Sequence, residues 1–152
     1  NLIILRTFSK ASGLAGIRAG FIASNKSLIK KLYAFRPMYE ISSITCLAVE
    51  EILKNQNIIN RYVSDTLKGK KYLDKKLEKL GFSYYETHSN FILVNFNSKS
   101  LVDKIYKELK RKGILARKAP NIEACKKHLR FTLGPTIYMK KLALNLGKIT
   151  KK

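Results

Sequence analysis

The chain has 152 residues, enough for one good-sized domain or for a compact domain with part of another. With 45% hydrophobic residues it can bury a real core, and no run approaches the ~20 apolar residues that exclude a soluble reading in favour of a membrane span. Lys plus Arg number 31 against 10 Asp plus Glu, a net charge of +21 that taken alone suggests a nucleic-acid or anionic-membrane partner.

Leu2–Leu5 is a short continuous apolar run, the pattern of a strand buried on both faces as in parallel sheets. Residues 7–16 are too rich in Gly and Ser for regular structure and read as a loop. Ala19–Ala23 is a second apolar strand, Ser24-Asn25 a turn and cap, and Leu28, Ile29, Leu32 and Tyr33 follow at helical spacing until Pro37. Ser42 or Ser43 caps a helix through Leu53, Asn55–Asn60 is a turn, and a long helix runs from about Ile58 to Leu80, where Gly81 ends it. The remainder is a β/α/β unit. Strands are expected at Phe82–Glu86 and Phe91–Phe96, then a helix from Ser98 or Ser100 to about Lys112, ended by Gly113. A strand at Ile114–Arg117, a loop at Lys118–Lys126, a strand at Leu129–Leu133 and a helix at Ile137–Ile149 complete it. The expected fold class is α/β, in two pieces: the rear of an open, mostly parallel sheet domain over roughly residues 1–60, and a small α/β domain over residues 81–152. A connecting helix over residues 61–80 carries the second piece.

The basic residues do not form one stripe. They fall in pairs along several helices (Lys30-Lys31, Lys70-Lys71, Lys75-Lys76, Lys126-Lys127, Lys140-Lys141), with no helix-turn-helix, zinc-finger or RNP pattern beside them. Solvated helix faces are the expectation, with no specific nucleic-acid partner and no membrane. Cys46 and Cys125 lie far apart, with no C-x-x-C pair and no His at metal spacing. They are expected to be free, buried thiols in a reducing, cytoplasmic compartment, and no metal site is expected. His88 and His128 flank strands without an acid or thiol nearby and read as structural or exposed. The chain opens on a strand pattern without Met or a secretory signal, so it is expected to be a piece of a longer protein.

The chemistry concentrates in the loop after the first strand: Thr7-Phe8-Ser9-Lys10-x-x-x-Leu14-Ala15-Gly16-x-Arg18-x-Gly20. Its parts suit a cofactor with both an aldehyde and a phosphate. A lysine amine condenses with an aldehyde. Ser9 offers a hydroxyl, and Arg18 a planar guanidinium suited to phosphate. On these residues alone, a solvated loop lysine remains the alternative.

The order of the whole string resembles the cofactor-lysine segment of fold-type-I pyridoxal-phosphate (PLP) enzymes, in particular the histidinol-phosphate aminotransferase group, with its T-x-S-K-x-x-x-L-A-G-x-R-x-G pattern. The resemblance implies that Lys10 bonds the cofactor's aldehyde, that Ser9 and Arg18 hold its phosphate, and that Thr7 is a further cofactor contact. It also implies that the two pieces are the rear of the PLP-transferase large domain and its small C-terminal domain. Arg130, in Leu129-Arg130-Phe131-Thr132-Leu133-Gly134, resembles the strand whose arginine grips a substrate α-carboxylate through a bidentate fork. The alternative is a surface arginine on a strand edge. Arg117, in Gly113-Ile114-Leu115-Ala116-Arg117, matches a segment whose arginine meets a substrate phosphate or distal carboxylate; with Lys118 it also reads as a plain basic turn. Tyr39 falls where the family has an active-site tyrosine, but Pro37 is displaced and Glu40 stands where the family has an apolar residue or proline. Asn90 resembles a strand entrance near the substrate, or else a turn and cap. The implied activity is transfer of an amino group between an amino acid or amino-phosphate and a 2-oxo acid, by a homodimer. The family's acid at the pyridine nitrogen lies upstream of the cofactor lysine, so this stretch alone is expected to be inactive. Two other readings stand beside this one: a decarboxylase similar to threonine-phosphate decarboxylase, and a non-catalytic basic interaction module.

Overall fold

The opening apolar run extends into strand β1 (Ile3–Thr7), which pairs with β2 (Gly20–Ser24) in a computed structural model that describes residues 1–118 and 123–150. The chain divides into two units, Asn1–Val63 and Ser64–Lys152.

In the first unit β1 and β2 are antiparallel, in register from Ile3 opposite Ser24 to Thr7 opposite Gly20. The α/β class is as expected, and within it every strand pair among the described residues is antiparallel, where the Leu2–Leu5 run reads as a strand of a parallel sheet. The reason is the connection. Parallel neighbours need a crossover, usually helical, that returns the chain to the same end of the sheet. Residues 8–19 contain only one 3-10 turn, Ala15–Ile17, so the chain doubles back as a long-looped hairpin. A Cβ added to Gly20 would stand 2.6 Å from the carbonyl oxygen of Arg6, so the ribbon closes only with glycine there. All five β1 residues are exposed, and burial on both faces is not supplied by the described residues of this unit. Its buried side chains are Phe8, Ala19 and Thr45.

Helix α1 (Lys26–Tyr33) starts where expected, with the Asn25 side chain accepting from the amide of Leu28 at 2.9 Å. In α2 (Ser43–Lys54) the cap is Ser42, whose hydroxyl accepts from the amide of Thr45 at 3.2 Å. The turn expected over Asn55–Asn60 shrinks to Asn55, whose side-chain Nδ2 donates to the Glu51 carbonyl at 2.9 Å. Because Asn55 closes α2 by itself, α3 (Gln56–Lys79) begins at the next residue and carries the chain into the second unit.

The second unit holds the core. Strands β3 (Ser83–Tyr84), β4 (Phe91–Asn95), β5 (Arg117–Lys118) and β6 (His128–Thr132) form an antiparallel sheet in the order β3-β4-β6-β5. Period-2 alternation sends Ile92, Val94, Leu129 and Phe131 to one face. There they join Leu73 and Leu77 of α3, Ile105 and Leu109 of α4 (Lys99–Arg111), and Leu146 of α5 (Thr136–Thr150). Each such side chain contributes about 1.5–3 kcal/mol when fully buried. Helix α3 rests directly on the turn before α5: a Cβ on Gly69 would stand 2.0 Å from the Gly134 carbonyl oxygen.

Two strands are shorter than expected, for one reason. The amide of Phe82 bonds back to the Leu77 carbonyl (3.0 Å) and that of Ile114 to the Leu109 carbonyl (2.9 Å). Both residues thus belong to helix C-terminal closures, and pairing starts only at Ser83 and at Arg117. The loop expected at Lys118–Lys126 lies partly outside the described residues; a 3-10 turn occupies Glu123–Cys125. The cysteines are free, but they are not buried: Cys46 is exposed and Cys125 half-buried. Helix α2 turns Thr45 inward in place of Cys46. His128 is buried and stacked on Tyr85, with ring centroids 5.4 Å apart, while His88 is exposed. Among the described residues no helix is long and apolar enough to cross a membrane.

Candidate cofactor and substrate site

The candidate residues fall in both units. In the first, the loop after β1 is organised around Phe8. Its amide donates to the Ala19 carbonyl (3.1 Å) and its carbonyl accepts from Leu14 (3.0 Å), while its side chain is buried with its ring 6.0 Å from that of Phe21. Thr7 Oγ1 accepts from the amide of Ser9 at 3.1 Å and donates to the Ala19 carbonyl at 3.4 Å. The Thr7 hydroxyl is thereby engaged in shaping the loop. A tight turn, with the Gly13 amide on the Lys10 carbonyl at 2.9 Å, puts Lys10 at the tip. Lys10 is exposed, because nothing in the described part of this unit covers the ribbon or its loop. Among the described residues, neither the Ser9 hydroxyl nor the Lys10 amine has a hydrogen-bond or ion-pair partner.

Arg18 follows the 3-10 turn with φ 56°, in the left-handed region. For a residue with a Cβ this costs about 1–2 kcal/mol. The conformation is held from both sides. Arg18 Nη1 donates to the Ala15 carbonyl at 3.1 Å, and the preceding Ile17 carbonyl accepts from Thr45 Oγ1 at 3.3 Å. The α2 cap Ser42 contacts the same Thr45 hydroxyl at 3.0 Å. Tyr39 is 88% exposed. The unusual Glu40 beside it is taken up by Arg36, with Nε and Nη2 on its two carboxylate oxygens at 2.6 and 2.5 Å. Arg36 also lies over the Tyr33 ring, 4.2 Å from the centroid. The hydrogen bond to Glu40 raises the guanidinium pKa above its already high value.

In the second unit the structure brings two candidates together. Arg117 of β5 stands directly opposite Arg130 of β6, whose partner on the other side is Leu93 of β4. Both arginines lie on the face turned away from the core, and Arg130 is half-buried. Like charges opposite one another destabilise a sheet, and among the described residues no acid pairs with either. The neighbouring Lys118 behaves differently. It forms an ion pair with Asp103 of α4 at 2.6 Å, holding that carboxyl below its ordinary pKa, and lies over the Tyr106 ring. Arg117 and Lys118 therefore do not form a single basic turn. Asn90 is exposed and its carbonyl accepts from the Leu133 amide at 2.9 Å, extending the β4–β6 pairing by one step. The structure adds Phe91, whose ring lies under the Arg130 guanidinium, 5.1 Å from centroid to Cζ. The sequence reading passes over it as the first residue of a strand; its signal is alternation, which sets Phe91 and Leu93 on the face opposite Ile92 and Val94.

The sequence model of the family described as "Aminotransferase class I and II" matches residues 1–146. The chain belongs to that family. It is 34% identical over 149 residues to histidinol-phosphate aminotransferase 1 of Carboxydothermus hydrogenoformans, across 98% of this chain and 42% of that protein. The solved histidinol-phosphate aminotransferase of Sinorhizobium meliloti, in complex with pyridoxal-5'-phosphate, is 25% identical with a TM-score of 0.84, across 98% of this chain and 41% of that one. An L-threonine-O-3-phosphate decarboxylase from Porphyromonas gingivalis shares the fold at 21% identity, with a TM-score of 0.79 across 100% of this chain and 47% of that one. The chain thus spans under half the length of the relatives it matches. Class I and II aminotransferases use PLP, and in this chain the segment that resembles their cofactor-lysine pattern is the Thr7–Gly20 loop.

Proposed function

We propose that the full-length protein carrying this chain is a PLP-dependent aminotransferase of the histidinol-phosphate aminotransferase type, acting on an amino acid or amino-phosphate and a 2-oxo acid as a cytoplasmic homodimer. The observation that carries this is the Lys10 loop. One short segment presents a primary amine, a hydroxyl and a guanidinium, with the first two free of partners among the described residues. That donor set fits a ligand with an aldehyde and a phosphate. When bound, PLP supplies the aldehyde and an electron-withdrawing ring. Lys10 would hold it covalently and, once released, move the proton at the substrate Cα. Ser9 and Arg18 would hold its phosphate, with Thr7 setting the loop that aims them. Arg130 would take the substrate α-carboxylate through a two-pronged fork, and Arg117 a second acidic group on the substrate. Asn90 and Tyr39 would border the substrate.

The test is Lys10→Ala in the full-length protein. Borohydride-reducible cofactor and keto-acid formation should both disappear while the protein stays soluble. Reducible cofactor that survives the substitution would falsify the assignment of Lys10. Release of CO₂ in place of keto acid by the unaltered enzyme would favour the decarboxylase reading.

A further inference from the structure

We propose that Phe91 is a positioning residue for the substrate's carboxylate: its ring holds the Arg130 guanidinium in the orientation that grips, at a place where the sheet by itself would push that charge away. The inference rests on the assignment of Arg130 to substrate binding, and concerns how the fold keeps that arginine ready.

Three observations meet here. Arg130 faces Arg117 across β5–β6, and two guanidinium groups at directly opposed positions repel. No acid among the described residues relieves the repulsion, although one lies within reach of the very next residue, Lys118, on the other face. Phe91 is two residues from Leu93, the direct partner of Arg130, so it shares that face and reaches Arg130 diagonally. Its ring lies 5.1 Å from Arg130 Cζ.

A carboxylate on Asp or Glu at this position would satisfy Arg130 and block it. An aromatic ring attracts the cation through its quadrupole yet accepts none of the guanidinium N–H groups, leaving the fork open for an incoming carboxylate. A leucine would fill similar space without that attraction, and Arg130 would sample orientations pointing away from Arg117. The substrate would then have to reorder it on binding, which weakens ground state and transition state alike and raises KM with kcat little changed.

The experiment measures KM and kcat for the amino-acid donor in the full-length enzyme as Phe91→Leu, Phe91→Tyr, Arg130→Ala and the double variant Phe91→Leu/Arg130→Ala, with PLP occupancy followed by absorbance. Phe91→Leu should raise KM roughly three- to tenfold, in line with a partly desolvated cation–π contact, with cofactor occupancy unchanged. Phe91→Tyr, which keeps an aromatic face, should restore the KM. In the Arg130→Ala background Phe91→Leu should add nothing further, because its effect runs through that side chain. Phe91 lies on the face away from the core, so the Leu variant is expected to fold. Equal KM increases from Phe91→Leu with and without Arg130 would overturn the proposal, as would an unchanged KM in Phe91→Leu alongside a raised KM in Arg130→Ala. An unchanged KM in Arg130→Ala would instead remove the carboxylate assignment, and this inference with it.

Discussion

Of the two units of this chain the first is the richer in apolar residues, yet it buries far fewer of them than the second. In Ser64–Lys152 the apolar side chains of three helices and of the two central strands, β4 and β6, converge on one core, with Leu73, Ile92, Phe96, Ile105, Leu129 and Leu146 fully buried. In Asn1–Val63 the apolar residues Leu2, Ile3, Ile4, Leu5, Phe21 and Ile22 in and beside the ribbon are exposed, and only Phe8, Ala19 and Thr45 are buried. The first unit is ordered by hydrogen bonds and caps: Thr7 on Ser9, Asn25 on Leu28, Ser42 and Thr45 on the turn before Arg18. The second is ordered by packing. The proposed cofactor loop thus sits where geometry is polar and local, and the paired arginines sit on a sheet whose opposite face is dry.

The largest expected effect breaks or upholds that contrast directly. Leu146→Ala, at a fully buried site, should destabilise the chain by about 2–5 kcal/mol in urea melts. Leu5→Ala, at a site 72% exposed, should change stability by no more than about 0.5 kcal/mol. Similar losses from the two would mean that the first unit is packed after all.

Next in size is a division of labour between two arginines of the full-length enzyme. Losing a charged hydrogen bond is worth about 1.5–3 kcal/mol, roughly ten- to a hundredfold. Arg18→Ala should show this as weaker PLP retention and Arg130→Ala as a raised substrate KM. Equal effects on cofactor affinity would end the separation of roles.

A titration reports on the packed unit alone. Burial, and after it the bond to Glu78 Oε1 at 2.9 Å, push the Tyr84 phenol up to about 12 from its ordinary value near 10. The folded state therefore holds this proton more tightly than the unfolded state. The resulting stabilisation is complete below pH ~10 and is lost as pH rises through about 12. Ultraviolet absorbance at high pH should show a late-titrating tyrosine, and Glu78→Gln should bring it back toward 10. A phenol that titrates with the exposed tyrosines would contradict the burial.

The smallest effect has the most informative sign. Arg117→Ala should stabilise the sheet by about 0.2–1 kcal/mol, since it removes one of two opposed like charges. If melting instead shows a loss, the two charges are not in conflict across the sheet.

What is legible in the sequence follows local chemistry, in both units alike. Helix starts were readable wherever a cap was a side chain: Asn25, Ser42 and Ser98 all accept the amide three residues on. Strand direction was not. The run Leu2–Leu5 records an apolar environment, and that pattern is the same for a strand that pairs parallel or antiparallel. Direction was set by the connection, where a 3-10 turn stands in place of a crossover helix. Phe82 and Ile114 have the pattern of strand starts because an apolar residue closing a helix looks like one opening a strand. Of the candidate site, the Lys10 string and both arginines could be named from type and order. Their pairing across β5–β6 could not, because register is a property of two strands, and Phe91 acquires meaning only beside Arg130.

Gly20 closes the Thr7–Gly20 string, and its reason is architectural: the Arg6 carbonyl leaves no room for a Cβ. A sequence signature read as chemistry is therefore a composite, in which some letters offer groups to a ligand and others only let the loop exist. The two kinds of letter fail in different ways. A change at Lys10 should leave an intact ribbon with the wrong reagent on it. A change at Gly20 should leave every reagent present on a ribbon that no longer shuts, so the damage spreads to Thr7, Ser9 and Arg18 together.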